Sequence, residues 1–493
     1  MKFKHFYKIV LLFIVAIFSI SCSDKGNEIP ELTVSLKNIY FEPEGGVSNE
    51  VTINANSAWT ISNSASAWLQ LSKSSGSDGT TTFTFTALKN ETNFSRTVTL
   101  TVEANNGQAR RITITQEGNL YPSYNLFPKP ADATGMSSTA VELAVKMGLG
   151  INIGNTMEAP TEAEWVEGNK ITEEYIKFLK ATGFNNVRIP CSWVKGYLSD
   201  ESKMKIDEQW LNRVKEVVGW CVDNDMYVML NIHWDGGWLD ENITAAKKDV
   251  TNAKMKALWE QIATKMRDFD EHLIFAGANE PPADDAVEMA ILNSYHETFI
   301  KSVRATGGKN SYRTLVVQGP GTNAVLSHEL MNILPYDAVP NRMMVEVHEY
   351  TPSQFAFVDN EVIGTWEVPV FYWGAGNHST IELNRNPTYG EEATILDSFK
   401  KLKEKFIDKG VPVVLGEYAV MRRDKSISPW IKFVPKDMVL HNKSVDYWTT
   451  FVTKQCKING VVPMYWEVGN VFNRNNNTIK DQAMIDALIA GFN

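Results

Sequence analysis

Two glutamates end two apolar runs. Leu273 to Ala278 carries no charged or strongly polar side chain, breaks off in Asn279-Glu280, and is followed by Pro281-Pro282, which forbid the strand from continuing. Val411-Pro-Val-Val-Leu-Gly-Glu-Tyr418 repeats the plan and places Glu417 at the end of another such run. Continuous apolar runs of this length read as buried strands of a parallel sheet. Each carboxylate is thus delivered at the carboxyl end of a buried strand. Paired carboxylates can break an acetal by double displacement, one protonating the leaving oxygen and the other attacking the sugar carbon, with the two carboxyls about 5–5.5 Å apart. The two must then differ. The acid needs a poorly solvated site that raises its pKa, and the nucleophile needs cations or hydrogen-bond donors that keep it ionised.

The elements that must position these groups recur along the chain. Strands are expected over 148–155, 186–193, 227–234, 273–280, 314–320, 343–350, 412–418 and 461–467, with amphipathic helical stretches between them. Eight β/α units in this length predict an α/β fold, a (β/α)8 TIM barrel. A doubly wound sheet is the alternative, but it gives no reason for a polar residue at nearly every strand end. Those ends offer Asn155, Arg188, His233 and Trp234, Asn279 and Glu280, His348 and Tyr350, Glu417, and Trp466. In a barrel they converge on one face. Any one of them has a bland explanation; their joint occurrence on successive strands does not. Arg188 is the obvious cation for Glu417 and Tyr350 the expected hydroxyl donor. Glu349 should point away from its strand neighbours and serve structure. Trp234, Trp238 and Trp373 are candidates for flanking subsites as well as for packing. No His or carboxylate lies at helical i, i+4 spacing beside His233 or His348, so neither a metal nor any other cofactor is expected.

Arg188-Ile-Pro, His233-Trp234, Asn279-Glu280-Pro281, His348-Glu-Tyr350, Gly416-Glu417-Tyr418 and Tyr465-Trp466 resemble, in order, the motif series of glycoside hydrolase family 5. Asp235-Gly-Gly-Trp238 and His348-Glu-Tyr-Thr-Pro352 resemble its β-glucanase and xyloglucanase branch, subfamily 4. The resemblance implies Glu280 as general acid/base, Glu417 as nucleophile, Asn279 on the 2-hydroxyl of the sugar being cleaved, and Trp466 as floor of that subsite. It implies a retaining endo-β-1,4-glycanase of a plant β-glucan, xyloglucan first, then mixed-linkage glucan, cellulose or glucomannan. Two departures bear on substrate choice: Glu467-Val-Gly-Asn-Val-Phe472 replaces the Asp-Asn-Gly expected after Trp466, and a long loop, 358–379, follows the sixth strand. A glycan-binding protein that has lost activity would lack a carboxylate, and both are present. A transglycosylase with the same residues is the third reading.

Residues 30–118 have another texture, Thr/Ser/Val-rich with short alternating runs and regular turn signals, which reads as a small β-sandwich. Glu44-Gly-Gly46, Trp59-Thr-Ile61, Trp68-Leu69 and Ile112-Thr-Ile-Thr-Gln-Glu117 resemble the BACON domain, an immunoglobulin-like module. Trp59 and Trp68 suit the core of such a sandwich better than a sugar platform, which favours a spacer role. Residues 119–136, with three prolines between Tyr121 and Pro130, read as a semi-rigid linker to the domain at 137–493. Residues 1–21 have a basic start and an apolar run, as in a secretory signal. Ser19-Ile-Ser-Cys22 resembles a lipoprotein cleavage site, which implies lipidation at Cys22, a tether over 22–29 and a cell-surface protein anchored in the outer membrane. Cys191, Cys221 and Cys456 have no C-x-x-C spacing and are expected as buried free thiols. The formal charge is -10, and removing the three lysines of the first 21 residues lowers it to -13. That excludes nucleic acid and anionic lipid surfaces as natural partners and suits a neutral polymer such as β-glucan, bound by a monomer.

Overall fold

The computed structural model describes residues 29–362 and 368–493. The signal region, Cys22 and Trp366 lie outside them. Two compact units are present, one closing at Glu117 and the other running from Gly118 to Asn493 with Thr92–Phe94.

The first unit is all β. A five-stranded sheet is ordered Asn38–Phe41, Ala109–Gln116, Arg96–Ala104, Trp59–Ser62, Ser75–Gly76, and two three-stranded sheets accompany it. Its alternating residues turn Leu100, Val102, Ile112 and Ile114 inward onto Phe83, Phe85 and Trp59. A Cβ at Gly76 would come 2.7 Å from the Trp59 ring, so the indole is roofed by backbone. The Arg96 guanidinium covers Trp68 at 4.5 Å. Both tryptophans pack.

In the second unit eight parallel strands close a barrel in chain order: β1 (Gly150–Asn152), β2 (Asn186–Ile189), β3 (Tyr227–Asn231), β4 (Leu273–Ala276), β5 (Leu315–Gln318), β6 (Met343–Glu349), β7 (Val413–Tyr418) and β8 (Val462–Tyr465). The β1–β8 pair, Ile151 opposite Tyr465, shuts the ring. All eight expected strands are there. Successive side chains alternate between the surrounding helices and the barrel lumen. Tyr227, Met229, Ile274, Ala276, Val316, Met344, Val414 and Met464 fill the lumen. Helix Ala140–Met147 closes its lower end. It is capped by Thr139 and Glu142 in a reciprocal capping box, and its Ala140, Leu143 and Met147 stripe packs onto the lumen cluster.

One irregularity matters. Between β6 and β7 the register shifts by a residue, so Val347 lies opposite Leu415 but His348 lies opposite Glu417. Gly416 sits at the shift, and a Cβ there would fall 1.9 Å from Glu346 Oε1. Only glycine allows that carboxylate to lie against the backbone.

The segment expected as a semi-rigid linker is seated on the barrel. Ser123 Oγ and the Asn125 amide donate to Glu260 at 3.0 and 3.1 Å, and Lys129–Ala131 pairs with Gly307–Gly308. The three cysteines of the barrel are buried and free.

Candidate active site

Above the apolar lumen the inward positions turn polar, as Asn152, Arg188, Asn231, Gln318 and Glu346, all fully buried. Arg188 is the hub. Its Nη1 donates to Glu417 Oε1 at 2.8 Å and to Asn152 Oδ1 at 3.0 Å, its Nη2 donates to Asn279 Oδ1 at 2.7 Å, and its Nε stands 2.9 Å from Glu346 Oε1. Burial opposes its charge, but Glu346 and Glu417 more than restore it and raise its pKa. Arg188 can only donate, so the Asn279 oxygen must face it. The Asn279 amide nitrogen is left to donate into the cleft.

The two glutamates meet as the sequence requires. Glu280 Oε1 is 2.7 Å from His348 Nδ1, and Tyr350 OH donates to Glu417 Oε2 at 2.8 Å. One ligating atom from each of Glu280, His348 and Glu417 fits within a 4.8 Å span. His348 lies between the carboxylates, with Nδ1 3.7 Å from Glu417 Oε2 and Nε2 3.3 Å from Glu346 Oε1. Burial alone would strip its proton; Glu417, Glu280 and Glu346 together outweigh burial and push its pKa to about 9. These three groups are also close enough to share a cation. A protonated imidazole cannot ligate one, however, and Arg188 already supplies positive charge there.

Glu280 departs from expectation. Burial raises its pKa, but His348, by hydrogen bond and charge, and then Arg188 bring it below the ordinary carboxylate value. Its side chain is 45% exposed in the open cleft. His348 and Arg188 therefore oppose the raised pKa that the chemistry demands of Glu280.

His233 is neutral: burial, together with the charges of Arg188 and His348, outweighs Glu417 and lowers its pKa to about 3. Its ring is stacked on Trp466 at 5.8 Å with 7° between planes. Trp466 rests on Gly154, where a Cβ would meet the indole at 3.0 Å. Trp234 is 50% exposed beside this wall.

Other candidates fall elsewhere. Strand β1 ends three residues before Asn155, and Asn152, not Asn155, reaches Arg188. Asn155 stands at φ 59° with its amide on the Glu158 carboxylate. Trp238 is buried, with Nε1 on Asp235 Oδ2 at 3.0 Å and the Lys254 ammonium 5.3 Å from its ring. Trp373 is buried with Nε1 on Gly390 O at 2.9 Å. Both are packing residues, not subsites. Glu349 is buried and accepts from the Thr351 amide, as a structural residue would. Sequence reading missed Glu346, although it shares the period-two face of His348 and Tyr350. It also missed Gln318, whose Nε2 donates to Glu346 Oε2 at 2.6 Å. The departure at Glu467 has a local purpose: it accepts the Val471 and Phe472 amides and the Arg474 guanidinium, which fixes the loop after Trp466.

Comparison with known proteins agrees with this geometry. Residues 149–471 match the cellulase (glycosyl hydrolase family 5) family, and residues 57–117 match BACON, a putative N-terminal binding domain. A xyloglucan-specific endo-β-1,4-glucanase of Bacteroides ovatus, BoGH5A, is 32% identical over 98% of this chain and 96% of its own length. Endoglucanase A of Paenibacillus barcinonensis is 31% identical over 74% of this chain and 92% of its own. A solved B. ovatus xyloglucanase with a XXXG heptasaccharide superposes with a TM-score of 0.67 at 30% identity, over 94% of this chain and 100% of that one. A strand-borne pair of carboxylates in a closed eight-stranded barrel, and relatives of near-equal length built the same way, place this chain in glycosyl hydrolase family 5, among its endo-β-1,4-glucanases.

Proposed function

We propose that the protein cleaves xyloglucan internally with retention, Glu417 acting as nucleophile and Glu280 as general acid and then base. The observation that carries this is the separation of the two carboxylates, whose nearest ligating oxygens lie within 4.8 Å; a retaining pair stands about this close, whereas an inverting pair leaves room for a water. Arg188 and Tyr350 each donate to one oxygen of Glu417, the contacts that orient an attacking carboxylate. The proton that Glu280 needs already lies in its 2.7 Å contact with His348. A bound glycan removes water from the exposed side of Glu280. In that drier site the charged pair becomes costly, and transfer of the proton from His348 to Glu280 leaves two neutral groups. Once Glu417 is esterified, Glu280 takes a proton from water and frees the sugar. Asn279 holds the 2-hydroxyl and Trp466, with His233 behind it, floors the cleaved sugar.

Xyloglucan is favoured by the near full-length likeness to a xyloglucan-specific relative. Incubation with a polysaccharide panel, with product sizing and proton NMR of the first-formed anomer, tests polymer, endo action and retention together. Glu417→Ala is expected to fold and to abolish hydrolysis; retained turnover refutes the nucleophile assignment. We further propose that Cys22 carries a lipid that holds a monomeric enzyme at the outer-membrane surface, supported by Ser19-Ile-Ser-Cys22 alone. Labelling with a radioactive fatty acid should mark the wild type and not Cys22→Ala.

A further inference from the structure

Strand β4 stops short of the general acid that it delivers. Its ladder to β5 ends at Ala276 opposite Val316, with one further bond from the Gly277 amide to Val316 O. Strand β5 runs on to Gln318, which pairs with Glu346 of β6. The Ala278 peptide, just before Asn279-Glu280, is therefore buried beyond the end of its own ladder. A buried peptide must find its partners elsewhere, and here both are side-chain carboxamides. Gln318 Oε1 accepts from the Ala278 amide at 2.9 Å, and Asn231 Nδ2 donates to Ala278 O at 3.4 Å. Gln318 makes the shorter bond and has a second hold. Its Nε2 donates to Glu346 Oε2 at 2.6 Å, and Glu346 Oε1 stands 3.3 Å behind His348 Nε2. Its main chain is pinned as well, since its carbonyl accepts from His296 Nε2 at 3.1 Å.

The chemistry of the two neighbours selects this side chain. A peptide amide can only donate and a carboxylate can only accept, so the group between them must accept on one side and donate on the other. A neutral primary amide does both, and the two bonds leave it one orientation. A glutamate here would set a second carboxylate against Glu346. The proton of the proposed reaction moves across the 2.7 Å contact between His348 Nδ1 and Glu280 Oε1. Gln318 bears on both ends of that contact: Ala278 carries the main chain that leads to Glu280, and Glu346 backs His348. Rotation of the Ala278 peptide would swing the Glu280 carboxyl off the leaving oxygen with no change in any group that touches sugar. We infer that Gln318, which is fully buried, is a positioning residue for the general acid, holding Glu280 in register with His348 and with the glycosidic oxygen. This rests on the reading of Glu280 as acid and base given above.

The test measures kcat/KM for the full chain on aryl β-cellobiosides of graded leaving-group acidity, from dinitrophenyl to phenyl. In the wild type the acid protonates the leaving oxygen as the bond breaks, so the rate depends weakly on leaving-group pKa. Gln318→Met removes both bonds at similar size. Gln318→Asn keeps a buried amide that is one methylene too short to span both partners, and it carries the test should the first variant not fold. In both the dependence is expected to steepen: the phenyl substrate should lose up to about a hundredfold and the dinitrophenyl substrate far less. A purely structural role lowers every substrate alike, so a parallel loss would overturn the inference, as would no loss. Glu280→Ala is the reference for an enzyme without its acid. A Glu280→Ala slope equal to that of the wild type would overturn the acid/base reading and this inference together. A steep Glu280→Ala slope beside shallow Gln318 variants would overturn this inference alone.

Discussion

Glu346→Gln removes one of the three charges that keep His348 protonated. The glutamine has the shape of the glutamate, so packing is held nearly constant. Glu346 Oε1 lies 3.3 Å from His348 Nε2. Two unit charges at that distance interact by about 5 kcal/mol at an effective permittivity of ~20. Raising His348 from 6.5 to about 9 corresponds to roughly 3 kcal/mol at 1.36 kcal/mol per unit. Losing this one neighbour should therefore lower the His348 pKa substantially, while Glu417 and Glu280 still oppose burial. His348 in the variant is expected to titrate well below its wild-type midpoint of about 9. The chain has 8 histidines, so NMR of the chain with 13C-labelled histidine can follow its ring directly. The variant should also lose about 2–4 kcal/mol of stability, because the new amide turns one donor toward Gln318 Nε2, which itself donates. A His348 midpoint still at about 9 in Glu346→Gln would refute the electrostatic account of this cluster.

Four other outcomes are expected. Wild-type stability should fall with alkali: His348 binds its proton more tightly folded than unfolded, so its contribution of about 3 kcal/mol is complete below pH 6.5 and lost as pH rises through about 9, as urea melts across that range would show. Gly416→Ala should cost about 3 kcal/mol or more, since Arg188, His348 and Gln318 pin the Glu346 carboxylate it would strike; a near-native melting temperature would contradict this. Glu280→Ala should lose most activity on natural glycans but retain it on aryl glycosides whose leaving group needs no proton, with azide restoring turnover as a glycosyl azide. Trp238→Phe should lower stability by about 1 kcal/mol through loss of its bond to Asp235 while leaving KM for polymer unchanged; a raised KM would return Trp238 to the cleft.

The barrel was legible because each strand is buried on both faces and so reads as an unbroken apolar run. Its edges were not, because the ladder stops where the polar residues begin: the run at 148–155 pairs only over Gly150–Asn152. That is why Asn155 was taken for the residue that Asn152 supplies. Glu280, Glu417, Arg188 and His348 stood out at strand ends. Glu346 did not, since a carboxylate inside a strand looks like an interruption until its partners Arg188 and His348 are seen around it. Tryptophans gave the weakest signal. An indole that packs and an indole that stacks on sugar have the same sequence signature, and only exposure separates Trp234 from Trp238 and Trp373. The pKa of Glu280 was unreadable for a related reason: its sign is set by a histidine 68 positions away.

The offset in β7 also constrains how this enzyme can diverge. Inward-facing positions in that strand run through Val414 and Gly416, and the slip adds Glu417 to the same side. Without it the nucleophile would face the outer helices. One residue gained or lost between Val413 and Gly416 would thus turn a hydrolase into an inert barrel. Loops outside this strand, such as the chain beyond Tyr418, can change in length without moving that offset or disturbing the bond that is cut.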